Sequence, residues 1–208
     1  RVDATFAWTS LVKLRPYFHR LEILRPELHI ARDVNGVITV AGIAVGEGSD
    51  DGAGLAWLLE QRQFLIRNAT LSWQDALRAA PTLVLSDVNL RVQKHFGRHA
   101  IGFTARPASG LARHLDLRAD LVFGDRARLS DISGQVYAAL DGLSVAALAP
   151  WGDLPLKLAG DGDVALWANV DAGRVVRVST TADLADAQLQ LGDDLPMLQL
   201  RRIQGHVS

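Results

Sequence analysis

His114-Leu115-Asp116-Leu117-Arg118-Ala119-Asp120-Leu121-Val122-Phe123 is the stretch whose reading decides the architecture. Leu115, Leu117, Ala119, Leu121 and Phe123 fall on one phase of a two-residue repeat, and His114, Asp116, Arg118 and Asp120 fall on the other. Successive side chains of a strand point to opposite faces, so the segment reads as a long antiparallel strand, dry on one face and wet on the other. The pattern recurs on both sides. Val88, Leu90 and Val92 alternate with Asp87, Asn89, Arg91 and Gln93, and Val164, Leu166, Ala168 and Val170 with Asp163, Trp167 and Asn169. Val176, Val178 and Leu184 hold one phase while Ala187, Leu189 and Leu191 hold the other, which predicts one inserted residue, a β-bulge, near Ala185.

Turn residues join these runs as hairpins. Asn35-Gly36 separates Leu28-His29-Ile30 from Val37-Ile38-Thr39-Val40 and is the pair preferred in a type I′ turn. Phe96-Gly97, Gly124-Asp125, Asp141-Gly142, Asp161-Gly162, Ala172-Gly173 and Gly192-Asp193-Asp194 mark further reversals, so a meander of roughly ten strands follows. Helix is scarce. Leu55, Leu58 and Leu59 give residues 53–62 a short amphipathic helix after the flexible loop Gly46 to Gly52, and a second short helix is expected over Leu143 to Leu148, ended by Pro150. The chain is thus expected to be one continuous segment: hairpins and a Gly/Asp loop over 1–52, the helix over 53–62, and long strands over 63–208.

With 208 residues, 49% of them hydrophobic and 22% charged, the chain can build a substantial core and is no disordered or low-complexity sequence. Its 22 Lys and Arg balance 23 Asp and Glu, which leaves no summed positive field to hold nucleic acid. The absence of cysteine excludes catalytic thiols, thiolate metal sites and disulfides. No run approaches the roughly 18 apolar residues of a membrane-spanning helix. The chain opens without Met at Arg1-Val2-Asp3 and stops at Gly205-His206-Val207-Ser208 inside an expected strand, so it is read as an excised piece of a longer protein. A sheet with one apolar face and little helix must hide that face somewhere. It can fold onto itself as a sandwich or barrel, dimerise, or curl into an open gutter, and periodicity does not choose among them.

The stretch Phe18 to Asp33, with Arg25-Pro26-Glu27-Leu28-His29-Ile30-Ala31-Arg32-Asp33 at its end, resembles the repeated strand phrase of bacterial AsmA-like proteins. The resemblance continues through Leu58-Leu59, Phe64-Leu65-Ile66-Arg67-Asn68-Ala69 and Leu71-Ser72-Trp73-Gln74-Asp75. Arg98-His99, Arg106-Pro107, Ser133-Gly134-Gln135-Val136-Tyr137, and Gly160-Asp161-Gly162 with Trp167 are similar to the YhdP branch of that family. What the resemblance implies is an elongated, mostly antiparallel, repeating β-groove with an apolar inner channel and one or two short helices. It also implies a periplasmic location, as part of an inner-membrane-anchored protein whose transmembrane helix lies outside this piece. The implied function is movement of phospholipid between inner and outer membranes, with no enzyme activity and no cofactor.

On that reading Val88, Leu90 and Val92, then Leu115, Leu117, Leu121 and Phe123, then Val164, Leu166, Val176 and Val178 are the expected lipid-binding lining. The expected partners are phospholipid and the two membranes or their proteins, reached through other parts of the protein. The rival reading is a scaffold that guides outer-membrane proteins by pairing its exposed sheet edge with client strands. Sharper chemistry finds little support. His95 and His99 flank Phe96-Gly97-Arg98 at an expected hairpin tip, on opposite arms, and read as surface histidines rather than a zinc site. Asp50-Asp51 and Asp161-Gly162-Asp163 lack the alternating oxygen-ligand spacing of a calcium loop. Ser130-Asp131 and Ser133 have no patterned His for a hydrolase triad. Trp8, Trp57, Trp73, Trp151 and Trp167 read as core or rim packing rather than platforms for bases or sugars. Arg25, Arg32 and Arg67 read as solvated strand positions before they read as phosphate ligands.

Overall fold

A computed structural model of the chain describes residues 1–6, 18–45, 57, 59–107, 110–124, 131–151, 157–190 and 196–207. Trp8, the expected loop Gly46 to Gly52, half of the helix over 53–62, Asp125 of the expected turn Gly124-Asp125, Ser130 and the turn Gly192-Asp193-Asp194 lie outside the described residues. Period-two sequence becomes strand almost throughout. Among the described residues the strands are β1 Val2–Phe6, β2 Phe18–Leu24, β3 Glu27–Arg32, β4 Ile38–Val40, β5 Ile43–Val45, β6 Gln63–Asp75, β7 Leu83–His95, β8 Arg98–Pro107, β9 His114–Val122, β10 Ser133–Ser144, β11 Lys157–Asp171, β12 Arg174–Gln190 and β13 Leu198–Val207. All thirteen belong to one curved sheet that is not closed into a barrel, and from β6 to β13 each strand pairs with the next in sequence.

The turns explain the meander. Phe96 and Gly97 have φ of 45° and 78°, and Ala172 and Gly173 have 46° and 71°, the doubly left-handed geometry that matches strand twist in a two-residue hairpin. At Asn35-Gly36 the hairpin forms but the turn type differs from expectation. Only Gly36 has positive φ, because Asp33 Oδ1 accepts from the N–H groups of Asn35 and Val37, both at 2.8 Å, and builds a wider loop. Two expected reversals are not turns at all. Asp141-Gly142 sits within β10 at a register shift, and Gly162 pairs with Leu184 in the middle of β11. Gly162 is there for close approach, since a Cβ would lie 2.0 Å from the Asp183 carbonyl oxygen.

The hairpin rule fails at β6, which takes parallel neighbours. β2 pairs with Phe64 to Arg67 and β3 with Thr70 to Asp75. Both are one line of chain broken at Arg25-Pro26, where proline offers no N–H and Arg25 adopts φ 51°. Arg25 N–H still donates to Arg67 O at 2.8 Å, and Thr70 N–H to Pro26 O at 3.0 Å, so the interruption costs little pairing. Beside it stand left-handed Asn68 in β6 and Asp87 in β7, each at a register shift. A second set of irregularities holds Gly142, Gly160 and Asp186. The bulge expected near Ala185 is Asp186, in the stretch of β12 that gains one residue where its register with β11 steps from Asp161↔Ala185 to Ala159↔Gln188. Each insertion bends its strand and inverts the alternation, which is why Leu184 and Ala187 are both buried on one face despite odd spacing.

Among the described residues two apolar clusters cover parts of that face. One gathers Phe64, Ile66, Leu85, Val88, Val92 and Ala105 around Leu59, whose neighbours Trp57 and Glu60 are helical. The other joins Leu111, Leu143, Val145, Leu184 and Ala187, with Leu148 and Trp151 from the 3-10 helix Val145–Leu148 and the turn after it. The second expected helix therefore begins later, because Leu143 and Ser144 remain in β10.

Candidate functional site

Residues directly opposed in an antiparallel ladder share a face, about 4.5–5.5 Å apart, so registers carried from strand to strand trace rows across the sheet. Phe64, Val92, Ile101, Ala119, Val136, Ala168 and Val178 form one such row from β6 to β12. Ile66, Leu90, Phe103, Leu117, Ala138, Leu166 and Thr180 form the next. Ala105, Leu115, Leu140, Val164 and Ala182 form a third from β8 to β12. Thr180 is the single polar member, at the far end of its row. The face is continuous in the hydrogen-bonding direction, across strands rather than along them.

The expected lining residues distribute over these rows. Leu90, Leu117 and Leu166 share the second, Val92 and Val178 lie at opposite ends of the first, and Leu115 and Val164 meet through Leu140 in the third. Val88 opposes Ala69 beyond the bulge, 1% exposed within the first cluster. Leu121 opposes His99 and Gly134 at the other end of β9, and Phe123 follows just after it. Val176 is not brought into a row, because the register steps from Asn169↔Arg177 to Val170↔Val175 and passes over it. Ile101, Phe103, Val136, Ala138 and Leu140 are members the sequence reading missed. Their alternation is present, but the intervening Ala100, Gly102 and Ala139 weaken the polar phase that would have announced it.

Packed segments border the face at both strand ends. Trp151 Nε1–H donates to Pro81 O at 3.1 Å, tying the turn after β10 to the start of β7 across β8 and β9. At the opposite end buried Gln61 accepts from Phe18 N–H at 2.7 Å and donates to Trp57 O at 2.6 Å. His99, expected at the surface, is buried there. Its Nε2–H donates to Leu59 O at 2.9 Å, and its ring meets Phe123 edge-on at 4.9 Å. The hairpin tip exposes His95 instead, since alternation sends His99 inward onto the apolar phase. Among the described residues no three His, Asp or Glu lie together as metal ligands, and Asp163 Oδ1 accepts from Gly142 N–H at 2.7 Å.

Charge is kept to the other face and the periphery. Arg98 meets Asp120 at 2.9 Å and Arg118 meets Asp116 at 2.6 Å, and Asp116 raises the pKa of Arg118 above its ordinary value by that hydrogen bond. Arg32 grips buried Asp75 with two nitrogens and lies 6.0 Å from the Trp73 ring, and its hydrogen bonds lower the carboxyl pKa. Arg67 pairs with Glu22 at 2.6 Å, where hydrogen bonding from Arg20 is the chief cause of a lowered pKa. No helix among the described residues is long and apolar enough to cross a membrane.

A family model described as YhdP protein matches residues 1–208. No curated protein and no solved structure matches the chain.

Proposed function

The chain belongs to the YhdP family, and on that premise we propose that it is a segment of a periplasmic conduit that moves phospholipid between inner and outer membranes. Family membership agrees with a lipid-transport role. The observation that carries the finer reading is the second row, in which Ile66, Leu90, Phe103, Leu117, Ala138 and Leu166 align across six strands. At about 4.8 Å per strand, β6 to β13 offers roughly 34 Å of length in the direction of these rows. Each methylene removed from water contributes about 0.8 kcal/mol, so a phospholipid with roughly 30 tail methylenes faces a barrier on the order of 20 kcal/mol in crossing an aqueous gap. An unbroken apolar strip removes most of it. Nothing in such a task calls for a nucleophile, metal or cofactor; it calls for alignment of the rows and for charges turned away.

The test places a photoreactive residue at Leu117 or at Asp116, its neighbour on the opposite face, in the full-length protein within cells. Lipid adducts are expected at Leu117 and not at Asp116. Adducts at Asp116 alone would assign transport to the wrong face. Adducts at neither position, together with a fully active Leu117→Asp variant, would hand the role to the sheet edge.

A further inference from the structure

On the polar face of β7 to β11, where a lipid strip has no use for it, lies an open depression of about 710 Å³. Ala100 and Gly102 of β8 form its floor, and no heavy atom comes within 4 Å of where a Gly102 Cβ would stand. Trp167 rises from β11 beside it, 44% exposed among polar neighbours. Tyr137 is directly opposite Trp167, with ring centroids 5.2 Å apart and planes tilted by 49°. Arg118 is opposite Tyr137 in turn, its guanidinium 5.9 Å from the phenol ring centroid. Cross-strand packing accounts for this aromatic pair as a pair. It does not account for an indole standing beside an unfilled floor.

The polar groups around the floor suit a ligand of many hydroxyls rather than an ion. Asp116 compensates Arg118 at 2.6 Å, Arg98 compensates Asp120 at 2.9 Å, and Arg91 donates to Gln93 at 2.8 Å. Three guanidiniums thus face two carboxylates, a near balance that supplies directed donors and acceptors with little net field. Gln93, Gln135 and Asn169 lie on a common row of the register, through Ala100 and Asp120, and add carboxamides that both donate and accept. The neighbouring row, Arg91, Gly102, Arg118, Tyr137 and Trp167, spans four strand spacings, about 19 Å, longer than a single sugar ring needs. We infer that this depression binds a neutral oligosaccharide, whose apolar ring faces lie on Trp167 and whose hydroxyl and acetamido groups meet the carboxamides, the Tyr137 phenol and the ion pairs. The site lies on the face opposite the proposed lipid path, so either reading stands or fails without the other.

The experiment titrates chitohexaose into the full-length protein by calorimetry, with Gly102→Leu and Trp167→Ala beside the unmodified protein. A Cβ at Gly102 meets nothing within 4 Å and strands favour a side chain over glycine, so Gly102→Leu fills the floor and tests the site with little threat to the fold. The expected result is a Kd of about 1 mM or tighter, weakened about tenfold or more in each variant, with unchanged hydrogen exchange in β8 and β11. Absence of binding to the unmodified protein, or equal binding by Gly102→Leu, overturns the inference. Displacement of chitohexaose by dextran sulfate in a salt-sensitive manner also overturns it, because the site would then select charge.

Discussion

Phe64 and Val92 are buried at one end of a row whose other end, Val178, is 42% exposed. The same two-residue periodicity produced both positions, and the same register connects them. What separates them is the material laid over the sheet. Leu59, Leu21, Ile23 and Phe123 pack against the β6–β8 end, whereas Val175, Val176 and Val178 at the start of β12 stay exposed. Alternation therefore assigns a face, and covering segments assign burial. The half-buried middle, Leu90, Phe103, Leu117 and Leu166, lies between the two regimes and is the stretch proposed to take acyl chains.

Four changes probe this gradient, and they are ordered by how much each should cost. Val88→Asp puts an unpaired carboxylate into the first cluster and should destabilise it by about 4 kcal/mol, read as hydrogen exchange spreading through β6, β7 and β8. Retained protection there would mean that water reaches the cluster and that the two ends do not differ. Leu117→Asp can turn its charge toward solvent along an uncovered face, so its folding cost should be about 1–2 kcal/mol, while lipid passage stops. Asp116→Ser is the matched control and should leave transport intact.

The third change concerns the covered end from its rim. Hydrogen bonds from Arg32 lower the folded pKa of Asp75, so their stabilisation is complete above the ordinary carboxylate value of about 4 and is lost as pH falls through the lowered folded value. Asp75→Asn should weaken the contact between β3 and β6 at neutral pH and make it insensitive to acid below about pH 4. Exchange rates in Glu27 to Arg32 that change with acid equally in both proteins would remove Asp75 as the cause. Last, Val178→Thr at the exposed end should shift stability by less than about 0.5 kcal/mol, measured by the same exchange. A loss comparable to that of Val88→Asp would show that something covers β12 as firmly as Leu59 covers β7.

Much of this was legible because strand period and turn chemistry are local. The alternation in His114 to Phe123 assigned faces that the registers to β8 and β10 preserve, and the phase change near Ala185 located the bulge to within one residue of Asp186. Glycine misled where its local meaning is double. Gly97 and Gly173 make turns, but Gly142 and Gly162 sit inside strands, and a lone Asp-Gly pair does not tell a reversal from a close backbone approach. His99 misled for a related reason: polarity suggested the surface, whereas its phase placed it inward, where Leu59 O supplied an acceptor forty residues away.

Local pattern was enough for the strand-rich class, the meander from β6 onward and the segregation of charge from the apolar phase, since each depends on neighbours one to four residues apart. Long-range pairing was needed to show that β2 and β3 run parallel to β6, that three rows align across the sheet, and that Trp151 ties β10 to β7. Those outcomes depend on register between distant segments. A register is chosen by the summed fit of a whole ladder and of what packs over it, and no short window of residues contains that sum.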